Sequence, residues 1–212
     1  MASRRDDDSG PVVTVRRMDE YDRDVRDEVT RVILDGYFSE LSFFSRDRHG
    51  FAAALRDDLR ADMFHVAEVD GAIVSVLACS DHTGRALVAN RASFRRGLGH
   101  LRGTVAARLL AREFNAPQAG DAHTGYIEWV ATSEHARGRG VSTALFRHVM
   151  RHTHHRTLTL EVVDSNHTAR RLYARLGFVE YARRPAKVWE RRMFQARLYL
   201  RWSKDPVPPP AT

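Results

Sequence analysis

The sequence predicts an α+β fold in three layers, α/β/α, in which helices cover both faces of a mixed central sheet. Between residues 12 and 202 the hydrophobic period switches several times between that of a strand and that of a helix. Asp70-Gly71 lies between two apolar runs, which is a strong hairpin signal. The nearly continuous apolar run TLTLEVV at 157–163 is typical of a buried parallel strand.

The elements alternate along the chain. A first short strand is predicted at 12–16 and is followed by a helix at 21–38, which has Val25, Val29, Val32, Ile33 and Tyr37 on one face. The same criteria predict further helices at 46–59, from about 98 to 114, at 140–152 and at 165–176, and strands at 64–69, 72–80, 126–131, 157–163, 178–184 and 195–202.

We predict one folded domain over residues 11–202, with a long insert at about 82–123. Residues 1–10 are polar and charged, and residues 203–212 are rich in proline, so both ends are predicted to be disordered. No apolar run is long enough for a membrane span, and no apolar segment follows the first two arginines, so neither a membrane partner nor secretion is expected.

The charge is distributed unevenly. The net charge is +7, with 15 basic and 5 acidic residues in 134–202 and with 12 acidic and 7 basic residues in 19–62. One region is therefore expected to attract anions and the other cations. The single cysteine, Cys79, excludes an intramolecular disulfide and a thiolate metal cluster, which fits a cytoplasmic protein.

A strand, a glycine-containing turn and a helix follow one another at 126–152. The turn reads Arg137-Gly138-Arg139-Gly140 and continues into Val141 and Ser142. Its glycines permit close approach of a ligand, and the free N–H groups of a helix N-terminus suit a pyrophosphate. The patterns of a Walker loop and of a Rossmann fingerprint are both absent. A turn that only caps a helix is the structural alternative.

A second motif spans 160–178 and reads LEVVDSNHTARRLYARLGF. Glu161 lies within an apolar strand, where an unpaired carboxylate is costly, so it is either a functional residue or the partner of an arginine. Asn166 can cap the following helix or bind a ligand. Tyr173 lies on the apolar stripe of that helix and can be a catalytic residue or a core residue.

Together the two motifs resemble the GNAT N-acetyltransferase superfamily. The acetyl-CoA motif of that family, Q/R-x-x-G-x-G/A, matches residues 137–142, with Ser142 in place of the last Gly or Ala. The family pattern N-x-x-A-x-x-L-Y-x-x-x-G-F matches at Asn166, Ala169, Leu172, Tyr173, Gly177 and Phe178. The match covers about 124–181 and extends more loosely to 12–202, and the long insert departs from the family pattern.

The resemblance implies that two parallel strands, here 126–132 and 157–163, splay apart around acetyl-CoA. It implies pyrophosphate binding by the 137–142 turn, pairing of the pantetheine arm with the backbone of Val130, Ala131 and Thr132, and an oxyanion contact near the Val130 N–H. It also implies direct attack by an amine, with Tyr173 as the general acid for the leaving thiolate.

Two carboxylates compete for the role of general base. The second motif further resembles bacterial protein N-terminal acetyltransferases that modify ribosomal-protein alanine, in which the equivalent of Glu161 is the proposed base. Glu128 is the rival, because many family members place a base on the preceding strand. An ion-paired structural role is the alternative for each of them.

Other candidate sites favour structural interpretations. His148, His152, His154 and His155 have no acidic ligand beside them in the sequence, so no metal is expected. Cys79 lies in an apolar strand and is expected to be a buried structural thiol. The basic run at 183–192 lacks interleaved aromatic residues, which disfavours nucleic-acid binding.

The sequence therefore predicts a cytoplasmic, acetyl-CoA-dependent N-acetyltransferase whose acceptor is a small-molecule or protein amine. The alternative is a non-catalytic GNAT-fold module that binds acyl-CoA or a partner of its basic surface. The acidic segment at 19–62 leads us to expect an acceptor with additional positive charge, and the insert is expected to form a wall or lid beside it. The oligomeric state stays open, a homodimer included.

Overall fold

The computed structural model describes residues 12–42, 45–114, 121–188 and 190–205. The segment at 1–10 and residues 206–212 of the tail, both predicted to be disordered, lie outside these residues. The first three residues of the predicted tail are ordered, because Ser203 ends the last strand and both Lys204 and Asp205 bond to Arg156. The described strands are β1 (Val13–Arg17), β2 (Phe64–Val69), β3 (Ala72–Ser80), β4 (Thr124–Thr132), β5 (Thr157–Val163), β6 (Val179–Pro185) and β7 (Ala196–Ser203). The described α-helices are α1 (Arg26–Leu41), α2 (Arg48–Arg56), α3 (Arg91–Leu98), α4 (His100–Phe114), α5 (Val141–His152) and α6 (His167–Arg175).

The strands form one mixed sheet in the order β1-β2-β3-β4-β5-β7-β6. Neighbouring strands are antiparallel except β4 and β5, which are parallel. Helices cover both faces, as the sequence predicts. None of the helices in the described part of the chain is both apolar enough and long enough to span a membrane.

The parallel pair β4–β5 separates halfway along its length. Pairing runs from Thr124 and Thr157 to Ile127 and Leu160, and both strands then continue without pairing to each other. The separation begins where β4 carries a β-bulge against β3, with Trp129 at a φ of 54°. A bulge bends its strand and increases the local twist, so it directs the end of β4 away from β5. The splayed parallel strands that the family resemblance implies are therefore present.

Two hydrophobic cores lie on opposite faces of the sheet. On one face, α1, α2 and the insert helices pack on β2, β3 and the bulged part of β4, with Phe51, Phe64, Phe94 and Trp129 buried. On the other face, α5 packs across β1, β2 and β3, and Leu145, Phe146 and Tyr173 form the second core together with residues of β5 and β7.

The boundaries of β2, β3 and β5 agree with the prediction, but helix α1 begins five residues later than predicted. Tyr21, the predicted first residue, instead donates a hydrogen bond from its hydroxyl to Glu68 on β2 at 2.8 Å. The Asp24 carboxylate accepts the N–H of Arg26 at 3.0 Å, so it caps the first turn that forms.

The insert contains two helices where the sequence predicts one. Helices α3 and α4 are separated at Gly99, and α3 was missed. They extend the layer beside α2: a Cβ on Gly97 of α3 would lie 2.2 Å from the Gly50 carbonyl, so the two helices touch there. The apolar stripe that predicted α4, formed by Leu101, Val105 and Leu109, faces solvent, whereas Ala106, Ala107 and Leu110 are buried.

Candidate active site

The backbone of β4 next to the bulge is available to a ligand on its β5 side. On its opposite side, β4 pairs with β3 both at the bulge and beyond it, through Ser75, Val76 and Ala78 of β3. The Ser75 hydroxyl also donates to the Ala131 carbonyl at 2.9 Å and contacts the Thr132 hydroxyl at 2.8 Å. The segment from Val130 to Thr132 is thus fixed from one side and unpaired with β5 on the other.

Tyr37 of α1 places its hydroxyl at the Val130 backbone. The backbone of Val130 lies close enough to the Tyr37 oxygen to lower the pKa of that phenol slightly. The Tyr37 ring meets Trp129 edge-on, with centroids 5.2 Å apart, and burial raises the pKa of Tyr37, with smaller contributions from Tyr173, Glu40 and Glu128. A phenol oxygen therefore lies where an amide N–H is presented to the splay.

Tyr173 lies on α6, in the core on the opposite face of the sheet from Tyr37. Its side chain is 6% exposed and its ring packs against Phe146 and Phe178 at centroid distances of 5.5 and 5.9 Å. Burial raises the pKa of Tyr173, so the phenol keeps its proton at neutral pH.

The turn before α5 presents backbone rather than side chains. Gly138 and Gly140 have φ values of 76° and 79°, and a Cβ at either position would meet no atom within 4 Å. Gly140 is the N-cap and supplies no side-chain cap, so the N–H groups of the first turn of α5 have no partner within the helix. Open space and unbonded donors are the two features that a pyrophosphate needs.

The two arginines of this turn differ. The Arg137 guanidinium donates to the Thr132 carbonyl at 3.1 Å and to the Asp35 carbonyl at 3.3 Å, so it fixes the turn against the end of β4 and against α1. Arg139 is exposed. The positive charge that a bound phosphate group would meet directly is therefore best supplied by Arg139.

The two carboxylates that compete as base have different surroundings. Glu128 is 7% exposed and is ion-paired with buried Arg85, while its Oε1 also accepts from the Ser80 hydroxyl and, at 3.2 Å, from the Ala86 N–H. Glu161 follows Leu160, the last β5 residue paired with β4. It binds Arg197 at 2.6 Å, and its side chain is 24% exposed.

Comparison with known proteins decides the family. A profile of the Acetyltransferase (GNAT) family matches residues 29–178. The chain belongs to the GNAT acetyltransferase family. The match starts in α1 and ends after α6, so it includes the splay, the 137–142 turn and Tyr173. The protein is accordingly an N-acetyltransferase enzyme by family.

Individual relatives are more distant. A 5-NmdU N-acetyltransferase of Pseudomonas phage PaMx11 is 29% identical over 102 residues, which are 46% of this chain and 69% of that protein. An N-acetyltransferase from Staphylococcus aureus Mu50 has a TM-score of 0.56 at 16% identity and covers 89% of this chain and 100% of its own. The ribosomal-protein-S18-alanine N-acetyltransferase of Escherichia coli has a TM-score of 0.52 at 13% identity and covers 95% of this chain and 99% of its own. These two structures share the fold.

Two further sequence candidates in this GNAT domain have structural roles. The Asn166 side chain accepts the Ala169 N–H at 3.0 Å and so caps α6, one of the two roles considered for it. Burial raises the pKa of Cys79 to about 12, which fits the expected unreactive thiol. Cofactor contacts of Val130, Ala131, Thr132, Val141 and Ser142 stay predictions, as does one by Asn166.

Many carboxylates of the acidic segment at 19–62 are ion-paired. The pairs are Arg23–Glu28, Arg26–Asp24, Arg56–Asp24, Arg56–Asp27, Arg60–Asp62 and Arg96–Asp57. Four of these five arginines belong to the segment itself and already count in its net charge, and only Arg96 of α3 comes from outside it. The segment therefore keeps an excess of acidic residues, and the expectation of a cationic acceptor stays a prediction.

Sequence reasoning missed Tyr37 and Arg85. Tyr37 was placed only on the apolar face of α1, although a tyrosine at a core position needs a hydrogen-bond partner for its hydroxyl, and that need was the available signal. Arg85 is 5% exposed within the insert, and a lone arginine there gives no hint that it meets Glu128 from β4. Both contacts depend on the way distant segments pack.

Proposed function

We propose that this protein transfers the acetyl group of acetyl-CoA to a primary amine by direct attack at the β4–β5 splay. The observation that carries the proposal is the end of β4–β5 pairing at Ile127 and Leu160, just before the β4 bulge and Val130, with Tyr37 packed on one face of the sheet and Tyr173 on the other. An amide donor and a protonated phenol match the two charges that acyl transfer creates, the oxyanion and the thiolate.

The chain offers acetyl-CoA a continuous set of contacts. The turn formed by residues 137–142 has open space and unbonded N–H groups for the pyrophosphate. The segment Val130–Thr132 is not paired with β5, so its backbone can hydrogen-bond the pantetheine arm, which places the thioester near Val130. These residues therefore fit the cosubstrate that the family resemblance implies.

Each protein group acts on a specific atom. The Val130 N–H donates to the thioester carbonyl oxygen and stabilises its negative charge as the amine nitrogen bonds to the carbonyl carbon. The carbon–sulfur bond breaks, and the Tyr173 hydroxyl gives its proton to the departing sulfur. Because the Tyr37 oxygen lies beside the same N–H, it competes with the carbonyl oxygen for that donor.

Glu161 fits the role of general base better than Glu128. The carboxylate oxygens of Glu128 accept hydrogen bonds from Arg85, Ser80 and Ala86 in a buried network, so they are poorly placed to take a proton from a substrate amine. Glu161 keeps part of its carboxylate exposed just beyond the last paired residues of β4 and β5. It can accept the proton of the attacking amine directly or through a water molecule.

The acceptor is proposed as a primary amine of a small molecule or a protein. The similar proteins named above act, by their names, on 5-NmdU and on a ribosomal-protein alanine, so the fold serves acceptors of different kinds. We also propose a cytoplasmic location, as the sequence suggests.

The direct experiment measures release of free thiol from acetyl-CoA in the presence of a panel of amines, together with mass spectrometry of the acetylated product. We expect amine-dependent thiol release that saturates with acetyl-CoA. Tight acetyl-CoA binding without thiol release for any amine would favour the non-catalytic acyl-CoA-binding alternative.

A further inference from the structure

Three potential metal ligands from two distant segments meet at the end of the sheet opposite the splay. One carboxylate oxygen of Asp81 and one ring nitrogen from each of His154 and His155 lie within 4.8 Å of one another. Asp81 directly follows β3, and the histidines lie in the link between α5 and β5. The sequence shows these histidines without an acidic partner, and the fold supplies one.

His155 has the environment of a metal-ligating histidine. It is 3% exposed, and its Nδ1 is buried without a hydrogen-bond partner in the described part of the chain. A buried unpaired nitrogen is costly, and a bound metal ion would give it a partner. Nδ1 is therefore the nitrogen available to a metal ion.

Asp81 is oriented by its own turn. Its Oδ1 accepts from the Thr83 N–H at 2.7 Å and from the Thr83 hydroxyl at 2.6 Å, and these contacts leave Oδ2 available to a ligand.

We propose that Asp81, His154 and His155 bind one Zn²⁺ ion. Two imidazoles and one carboxylate are a ligand set that zinc takes, with a fourth position for water or for a neighbouring side chain. Exposed His82 follows Asp81 directly in the chain and is one such side chain. The ion would join the turn after β3 to the start of β5. It lies at the far end of β4 from Val130, so its role is structural.

The test uses tag-free, full-length protein treated with EDTA and then titrated with Zn²⁺ by calorimetry, with thermal unfolding measured in parallel. We expect one Zn²⁺ per chain. Binding at about 100 times the Kd should raise the Tm by roughly 5 °C or more. Asp81→Asn and His154→Ala should each weaken binding by at least about tenfold. The amide introduced by Asp81→Asn keeps an oxygen that can accept from Thr83, and His154 is exposed, so both variants are expected to fold.

The matched control is His148→Ala. His148 and His152 form an i, i+4 pair on α5, with ring centroids 4.2 Å apart, and are the rival place for a metal. This variant should bind Zn²⁺ like the natural chain, and the affinity for acetyl-CoA should be the same with Zn²⁺ or EDTA. Three results would overturn the proposal. They are no Zn²⁺ binding by the natural chain, unchanged Zn²⁺ affinity in Asp81→Asn and His154→Ala, and loss of Zn²⁺ binding in His148→Ala. None of these results depends on acetyl transfer.

Discussion

The hydroxyl of Tyr37 lies beside the Val130 N–H that the proposed mechanism assigns to the thioester carbonyl. Removing this hydroxyl in Tyr37→Phe should free the amide and tighten acetyl-CoA binding by about 2- to 12-fold, the equivalent of one ordinary hydrogen bond. Calorimetric titration of both proteins with acetyl-CoA measures the change.

Free CoA is the control ligand for this variant, because it has the same pyrophosphate and pantetheine but no thioester carbonyl. Its affinity should be the same for Tyr37→Phe and for the natural chain. An equal gain for CoA and acetyl-CoA, or no gain for either, would show that the Tyr37 hydroxyl does not compete with the carbonyl oxygen.

Glu128 and Arg85 form an ion pair with side chains only 7% and 6% exposed. Glu128→Gln leaves a buried guanidinium without its counter-charge, so we expect a loss of about 3–5 kcal/mol in the free energy of unfolding. Denaturant unfolding measures it. The exposed pair Glu180–Arg183 supplies the control, since Glu180→Gln should cost about 1 kcal/mol or less. Equal costs would contradict the structural role of Glu128.

Glu161→Gln should remove the acidic limb of the pH profile of kcat/KM, because the amide can no longer take up a proton from the amine. The profile is to be compared with that of Glu128→Gln at a temperature at which both variants are folded. Glu128→Gln should keep the limb. If only Glu128→Gln loses it, the roles of the two residues are reversed, and if neither does, both assignments fail.

Among the elements, the turn into α5 makes the sharpest prediction about acetyl-CoA. Gly140→Asp places a carboxylate beside the first-turn N–H groups, so repulsion should weaken CoA binding by about 100-fold or more. The Cβ meets no atom within 4 Å, and the fold should persist. Gly140→Asn is matched in size and in tolerance of a positive φ but has no charge.

Calorimetry with CoA distinguishes the two variants at Gly140. Gly140→Asn should keep most of the affinity, and circular dichroism should show that both variants are folded. Similar losses in the two variants would mean that space or backbone strain at Gly140, rather than charge, governs binding, and unchanged affinity in both would remove the pyrophosphate from this turn.

Element boundaries could be predicted where the apolar pattern itself ends. The hairpin β2–β3 is bounded by its Asp70-Gly71 turn, and β5 is a compact β-branched run, so both agree with the sequence. Helix α3 has the sequence RASFRRGL, in which Phe94 is the only large side chain that is fully buried, so its apolar period is too weak to see. Helix α4 was found through Leu101, Val105 and Leu109, yet it buries its small residues, because α3 packs closely against that side.

At the scale of the whole molecule, the candidate site lies where the two cores meet. Tyr37 and the β4 bulge belong to one core and Tyr173 to the other, and the end of β4–β5 pairing leaves the space between them. The motifs at 137–142 and 166–178 located one side of this site from the sequence. The other side depends on how α1 and the insert pack on β4, and no local sequence pattern predicts that packing.

The measurement that tests the central claim most directly is turnover by Tyr173→Phe with an amine that the natural chain acetylates, alongside acetyl-CoA affinity. Loss of the phenolic proton should lower kcat by roughly 100-fold or more and leave the acetyl-CoA Kd nearly unchanged. Because burial raises the pKa of Tyr173, kcat of the natural chain should also stay undiminished as the pH rises to about 10, the ordinary pKa of tyrosine. Unchanged kcat in Tyr173→Phe would contradict the assignment of the acid, and a fall in affinity equal to the fall in kcat would show that Tyr173 serves binding instead.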